Sequence, residues 1–385
     1  MPGYELIDDK EFHQITDIFK KSKTLFRMGF EKNRKGIYKV KDFEKAFCRL
    51  LKANYALGVT SGTAALRVAL STLNIKPGDE IVTQSFTFVA TIEAIVESRC
   101  IPICTDIDDT LNMCPNDLER KITKKTKAVI VVHMLGVPAK LDKIKSICKK
   151  RNIKLIEDTA WGCGAKFKNK YLGTWGDIGA FSFDFAKTIT TGEGGMVVFN
   201  NRKDFKKASA WHDHGHENNP NLPRWEDTRK TSGFNYRMNE MQGAVGIAQL
   251  KKLKLIISKQ RKNHDLIWNQ IKQISGIAKR VYPKQSYISA DSLIVYVKNK
   301  KIALKCRQEL LKQKISTKIL PEAYKWHFAS EWNHFKELRQ KYPNLKEEFK
   351  KSRKLLDKSV SIPIFVNMKN GTPIKIKKAL TKAIK

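Results

Sequence analysis

The stretch YALGVTSGTAALRVALSTLN, residues 55–74, decides the architecture. YALGV is short and apolar, as a buried strand must be. TSGT supplies the small polar residues of a tight turn, and AALRVAL carries apolar side chains at helical spacing, with the helix starting near Thr63. A strand that runs through a tight turn into a helix is half of a βαβ unit, and the same rhythm continues on both sides. Upstream, KVKDFEKAFCRLLKAN (39–54) has the spacing of an amphipathic helix. Downstream, IVTQ (81–84), IPICTD (101–106), AVIVVH (128–133) and KLIEDT (154–159) are β-rich runs separated by helical segments such as LDKIKSICKKR (141–151). This alternation predicts an α/β fold with a mostly parallel central sheet covered by helices. Ligands bind such sheets beyond the carboxyl ends of the strands. Thr60 to Thr63, and Glu157 with Asp158, therefore fall at a functional edge.

The remainder of the chain extends this frame. FSFDFA (181–186) and GMVVFNN (195–201) flank a small-residue bend, and a long basic helix is expected from about 239 to 274. The tail beyond it has one clear strand, SLIVYVK (292–298), a helix over 301–314 and a closing helical run. The expected organisation is a large domain over 1–250, N-terminal segment included, and a small C-terminal α/β domain over 251–385 that takes in the connecting helix. A chain of 385 residues exceeds the usual single-domain size, and 41% hydrophobic with 29% charged residues leaves no composition for a long disordered tract.

Composition also narrows the function classes. The seven cysteines (48, 100, 104, 114, 148, 163 and 306) are odd in number and lack CxxC spacing, which favours buried reduced thiols over a disulfide framework. The opening MPGYELIDDK has acidic residues where a secretory leader needs basic ones, and no apolar run approaches the ~20 residues of a membrane span. The expectation is a cytoplasmic protein. The formal charge of +36 invites a nucleic-acid reading, but the basic residues are spread over the helical segments without an aromatic-interleaved stripe. A solvated lysine-rich surface, or attraction to anionic substrates, accounts for them without nucleic acid.

Three segments could carry chemistry. TSGTAAL (60–66) opens a helix with backbone amides and hydroxyls suited to a phosphate, although an ordinary helix cap uses the same letters. LIEDTAWG (155–162) ends an apolar run in two carboxylates, either of which could pair with a protonated ring nitrogen or simply cap a helix. In FSFDFAKTITTGEGG (181–195), Lys187 stands between apolar residues and a glycine-rich bend, and a lysine shielded from water is a better nucleophile toward an aldehyde.

Taken in order, SGTAAL, FTFVAT, the Asp-containing strand end, SF-x3-K-x4-GEGG and GFNYRMNEMQGAVGIAQL resemble the DegT/DnrJ/EryC1/StrS group of sugar aminotransferases, which depend on pyridoxal 5′-phosphate (PLP). The resemblance covers nearly the whole chain and implies the PLP-dependent transferase (aspartate aminotransferase type I) fold. It implies that Lys187 binds the cofactor as a Schiff base and later moves the proton, and that Asp158 pairs with the ring nitrogen. Phe88 would lie against the ring face, and Ser61, Gly62, Thr63 and Ser182 would hold the phosphate. Asn235 matches a position that reaches the phosphate of a neighbouring subunit, so the implied unit is a homodimer with shared active sites. Many members carry a histidine three residues after the aspartate. Here that residue is Trp161, so no role of that histidine transfers. Relatives that dehydrate have histidine in place of the lysine, and Lys187 argues against that outcome.

Within the group, MPGYEL, KTITTGEGG, DHGHE and YKWHFASEWNHF (324–335) resemble the enzymes that aminate C8 of a deoxy-octulosonate for lipopolysaccharide. The implied substrates are glutamate and a keto- or aldehydo-sugar. A nucleotide-linked 3- or 4-keto-hexose is the alternative acceptor, and a non-catalytic nucleic-acid-binding regulator is the alternative from another class. HDHGHE (212–217) could be read as metal ligands, but alternating loop positions do not fix a tetrahedral site and no metal is expected. The polar loop NNPNLPRWEDTR (218–229) could be a lid over an anionic sugar or a solvated loop.

Overall fold

The computed structural model describes residues 2–219 and 221–385; Met1 of the opening MPGYEL and Pro220 of the polar loop lie outside the described residues. Seven strands form the central sheet: β1 (Tyr55–Val59), β2 (Glu80–Gln84), β3 (Ile101–Thr105), β4 (Thr126–Val132), β5 (Lys154–Asp158), β6 (Ile178–Ser182) and β7 (Gly195–Phe199). Their spatial order is β1-β7-β6-β5-β4-β2-β3. β7 pairs antiparallel with both β1 and β6, and every other pair is parallel. The mostly parallel sheet expected from the alternation is present. Its strands read as continuous apolar runs because helices cover both faces.

The helices used below are α1 (Asp9–Asp17), α2 (Lys39–Leu51), α3 (Gly62–Ser71), α4 (Ala90–Glu97), α5 (Leu141–Lys150), α6 (Arg202–Trp211), α7 (Glu240–Ile271), α8 (Lys300–Lys312) and α9 (Thr372–Ile384). α7 starts where Asn239 accepts a hydrogen bond from the Gln242 amide while the Gln242 side chain accepts one from the Asn239 amide, a reciprocal cap. It then runs unbroken, so residue 250 lies inside it. Its first half packs on α2, where a side-chain carbon on Gly246 would come 2.5 Å from the Phe43 ring. Its far end gives Ile267 and Ile271 to a second core with Leu293, Leu310, Ile376 and Leu380. That core lies under a small antiparallel sheet of β8 (Ala278–Lys279), β9 (Ser292–Tyr296) and β10 (Ser359–Pro363).

The C-terminal tail divides its packing. While α8, β9, β10 and α9 build the second core, Leu320, Phe328, Trp332, Leu338, Tyr342 and Phe349 pack into the core of the central sheet. Main-chain bonds fix this return: Thr87 N donates to His327 O (3.0 Å), Val89 N to Trp326 O (3.0 Å) and Ala329 N to Ser85 O (2.8 Å). All seven cysteines are free thiols. Among the described residues no helix is long and apolar enough to cross a membrane.

Candidate active site

The carboxyl ends of β1, β5 and β6 converge on a cavity of about 500 Å³. Ser61, Gly62, Thr63, Phe88, Asp158, Ser182 and Lys187 all line it. Sequence distance among them is large. They meet because each ends or follows a strand that finishes on the same edge of the sheet.

At the β1–α3 turn, Ser61 caps α3, its Oγ accepting a hydrogen bond from Ala64 N (3.0 Å). Gly62 is required by close approach: a side-chain carbon there would sit 2.7 Å from Ser182 Cβ. The backbone at the helix N-terminus therefore lies directly against the end of β6, with three hydroxyls (Ser61, Thr63 and Ser182) and the positive end of the helix dipole on one cavity wall. Such a wall is suited to an anion such as a phosphate.

β5 settles the choice between its two carboxylates. Successive side chains of a strand point to opposite faces. Glu157 turns inward, where it accepts hydrogen bonds from Trp175 N (2.5 Å), Gly176 N (2.7 Å) and Gly173 N (2.8 Å) and pairs with His133 Nε2 (3.0 Å). Asp158 faces the cavity, accepting from Thr91 Oγ1 (3.0 Å) and Ala160 N (3.1 Å). Burial pushes its carboxyl up, opposed by these two hydrogen bonds and by the charges of Lys187 and His133. A cationic ring nitrogen placed beside it would relieve that desolvation.

Lys187 follows β6 on a tight turn in which Asp184 accepts from Ala186 N (2.9 Å) and Lys187 N donates to Asp184 O (3.0 Å). Gly3 N donates to Lys187 O (3.1 Å), and the Tyr4 ring stacks on Phe185 at 4.8 Å, so the N-terminal segment straps the turn in place. The Lys187 Nζ lies 3.5 Å from the centroid of the Trp161 ring. Burial lowers its amine from 10.5 to about 8; Asp184, Asp158 and Asp291 hold it up and Lys318 pushes it further down.

Phe88 presents its ring on the opposite wall, stacked on Trp326 with centroids 6.3 Å apart and planes at 13°. Sequence reasoning missed the residues that the returning tail brings to the cavity: Thr317, Lys318, Ile319 and His327. The aromatic run YKWHF was the only local signal. His327 is held neutral, burial pushing it down to about 4, with Nδ1 bonded to Ala323 O (3.1 Å).

Asn235 stands apart from this cavity, exposed and bridged to Asp213. The neighbouring histidines have separate tasks. His212 is buried, Nδ1 meeting Ser209 O at 2.6 Å, and burial pushes it down to about 3. His216 pairs with Asp227 (3.2 Å), and Asp213 binds Arg224 and Arg237. Among the described residues, no three His, Cys, Asp or Glu side chains are grouped to hold a metal.

A cavity with a phosphate cradle, a buried carboxylate and a lysine of lowered basicity, set at the edge of a mostly parallel sheet, defines the class: a PLP-type transferase fold. The chain belongs to the DegT/DnrJ/EryC1/StrS aminotransferase family, whose model matches residues 28–381. It is 39% identical over 246 residues to the GDP-perosamine synthase of Escherichia coli O157:H7, covering 64% of this chain and 66% of that enzyme, just under two thirds of its length. An uncharacterised protein of Methanocaldococcus jannaschii is 32% identical over 352 residues, 89% of either chain. Among solved structures, the aminotransferase from Psychrobacter cryohalolentis superposes with a TM-score of 0.85 at 25% identity, covering 98% of this chain and 96% of that one. The cofactor of the family is PLP, and the residues lining the cavity fit it. The phosphate suits the Ser61–Thr63 turn with Ser182, and the ring nitrogen suits Asp158.

Proposed function

We propose that the protein transfers an amino group from glutamate to a keto- or aldehydo-sugar. The observation that carries this reading is the convergence of Lys187, its amine lowered in basicity by burial, and the buried Asp158 in one cavity beside a wall suited to a phosphate. Bound there, PLP supplies an aldehyde that accepts amino groups and a ring that withdraws electrons from the neighbouring carbon. Asp158 would keep the ring nitrogen protonated, and Ser61, Gly62, Thr63 and Ser182 would hold the phosphate. Phe88 covers one ring face. Lys187 would hold the cofactor through its side-chain amine and would carry the proton to and from the substrate carbon. Asn235 of the partner subunit completes the phosphate site, which makes the working unit a homodimer in the cytoplasm.

The acceptor in this reading is 3,8-dideoxy-8-oxo-manno-octulosonate, and the protein acts as an 8-amino-3,8-dideoxy-manno-octulosonate transaminase for lipopolysaccharide. The opening PGYEL, KTITTGEGG, DHGHE and YKWHFASEWNHF support it. Three of those runs are structurally engaged with the cavity: Lys187 and Glu193 of KTITTGEGG line it, Gly3 and Tyr4 strap the Lys187 turn, and Trp326 and His327 pack beside Phe88. The likeness to GDP-perosamine synthase favours a second reading, a nucleotide-linked 3- or 4-keto-hexose acceptor. A half-reaction separates them. The PLP-loaded protein is treated with glutamate, loss of the cofactor's absorbance band is followed, and sugars are then offered. Recovery with the 8-oxo octulosonate alone supports the first acceptor, and recovery only with nucleotide-linked keto-hexoses replaces it. Failure to bind PLP would remove the enzymatic reading.

A further inference from the structure

The cavity holds a second ammonium group. Lys318, on the loop that follows α8, places its Nζ 4.8 Å from the centroid of the same Trp161 ring that lies 3.5 Å from Lys187 Nζ. Its side chain is 14% exposed and pairs at 2.8 Å with Asp291, which is itself 2% exposed. The other oxygen of that carboxylate is buried without a hydrogen-bond partner. Asp291 thus holds the ammonium by one contact. An ammonium has three donors, so Lys318 keeps capacity for an anion. Among the described residues lining the cavity, Lys187 is committed to the cofactor and His327 is neutral, which leaves Lys318, paired with Asp291, as the remaining basic side chain that can meet an anion.

We infer that Lys318 anchors the α-carboxylate of the amino donor, a role that rests on the aminotransferase reading above. The donor's carboxylate is attached to the carbon that bears the transferred nitrogen, about 2.5 Å from that nitrogen by standard bond geometry. A cation sharing one indole with Lys187 is therefore in reach of it. The acceptor's own anion is not so placed: in an eight-carbon acid aminated at C8, the carboxylate is seven carbons from the reacting centre, and in a nucleotide-linked hexose the diphosphate on C1 is separated from the reacting C3 or C4 by two or three carbons and an oxygen, whereas the donor's carboxylate is bonded directly to the reacting carbon. Trp161, where many relatives have histidine, fits this arrangement. Its ring face favours cations without competing for the carboxylate through a second basic group.

The test uses PLP-loaded K318M, K318R and the double variant K318M/D291N, which removes the pair without leaving Asp291 buried alone. Folding is confirmed by an unchanged absorbance of the cofactor on Lys187. Binding of 2-oxoglutarate to the PLP form, which cannot transaminate it, is measured by calorimetry. The half-saturating concentration of each of several α-amino acids, glutamate included, is measured from loss of the cofactor band. Both should worsen roughly ten- to hundredfold in K318M and in the double variant, the loss expected for one charged hydrogen bond, and K318R should recover most of it. Wild-type values in K318M/D291N with a normal cofactor spectrum overturn the inference. Failure of the aminotransferase reading shows differently: the wild-type spectrum would stay unchanged with every amino acid offered, which overturns the anchor as well.

Discussion

The lowered basicity of Lys187 has a kinetic consequence that can be worked through. Only the neutral amine attacks an aldehyde. At pH 7 a lysine titrating at its ordinary 10.5 is neutral in about 0.03% of molecules, and one titrating at about 8 is neutral in about 10%. At equal intrinsic nucleophilicity the folded protein should capture PLP about 300-fold faster at pH 7 than an exposed lysine does. Mixing cofactor-free protein with PLP in a stopped-flow instrument between pH 6 and 10.5 measures this directly. The rate of the absorbance change should climb about tenfold per pH unit and level off near 8, where protonated amine gives way to neutral. The causes act in stated directions. Burial lowers the amine most, Asp184, Asp158 and Asp291 oppose it, and Lys318 adds to the lowering. K318M should therefore move the midpoint up, and D184N should move it down. K187A should give no covalent capture at all. A wild-type rate that keeps climbing to pH 10 would refute the claim that burial tunes this amine.

The other expectations concern neighbouring groups. D158N keeps the size of the side chain but loses the charge on the ring nitrogen, so PLP should still bind while conversion by glutamate falls about a hundredfold; an unchanged rate would remove Asp158 from that role. G62A adds a carbon 2.7 Å from Ser182 Cβ, and PLP titration should show about tenfold weaker binding without loss of the fold. E157Q leaves a buried amide group facing backbone N–H donors, so its thermal midpoint should fall, by about 2 kcal/mol of stability, with cofactor capture by the folded fraction unaffected.

What the sequence made legible follows from where each residue sits relative to its own strand. Ser61 to Thr63, Asp158 and Lys187 all lie at or just beyond strand ends within short contiguous motifs, so local reading reached them, while Ser182 came through the family resemblance. Phe88, four residues beyond β2, came only through the family resemblance. Lys318 and His327 could not be reached that way. His327 is delivered by main-chain bonds between residues 85–89 and 326–329, and Lys318 by its N–H donating to Ser361 O (2.9 Å) on β10, pairings between distant parts of the chain that no local pattern encodes. The division of the tail has the same origin. Leu320 and Trp332 look no different in sequence from Leu310 and Leu380, yet the first two pack under the central sheet and the others in the second core. Asn235 marks another limit. It is exposed, its Oδ1 accepts from the Arg237 N (3.4 Å), and it stands away from the cavity.

The two segments for which a helix cap competed with a ligand site show why that alternative was not a true opposition. Ser61 does cap α3, and Asp158 does accept a local backbone amide, yet both line the cavity. Capping uses the serine oxygen as an acceptor and leaves its hydroxyl proton to donate to a phosphate, while fixing the rotamer that aims it. Asp158 uses one oxygen for Ala160 N and the other for Thr91, and a carboxylate retains further lone pairs on both. The local bond is what holds each group at a defined angle before any ligand arrives, so the cap contributes to the site. Glu157 completes the argument from the other side. It has the same chemistry as its neighbour and more hydrogen bonds, but strand alternation turns it into the interior, where its capacity is taken up by three amides and His133. Between adjacent carboxylates, the unspent lone pairs and the direction of the side chain single out the one that can meet a cofactor.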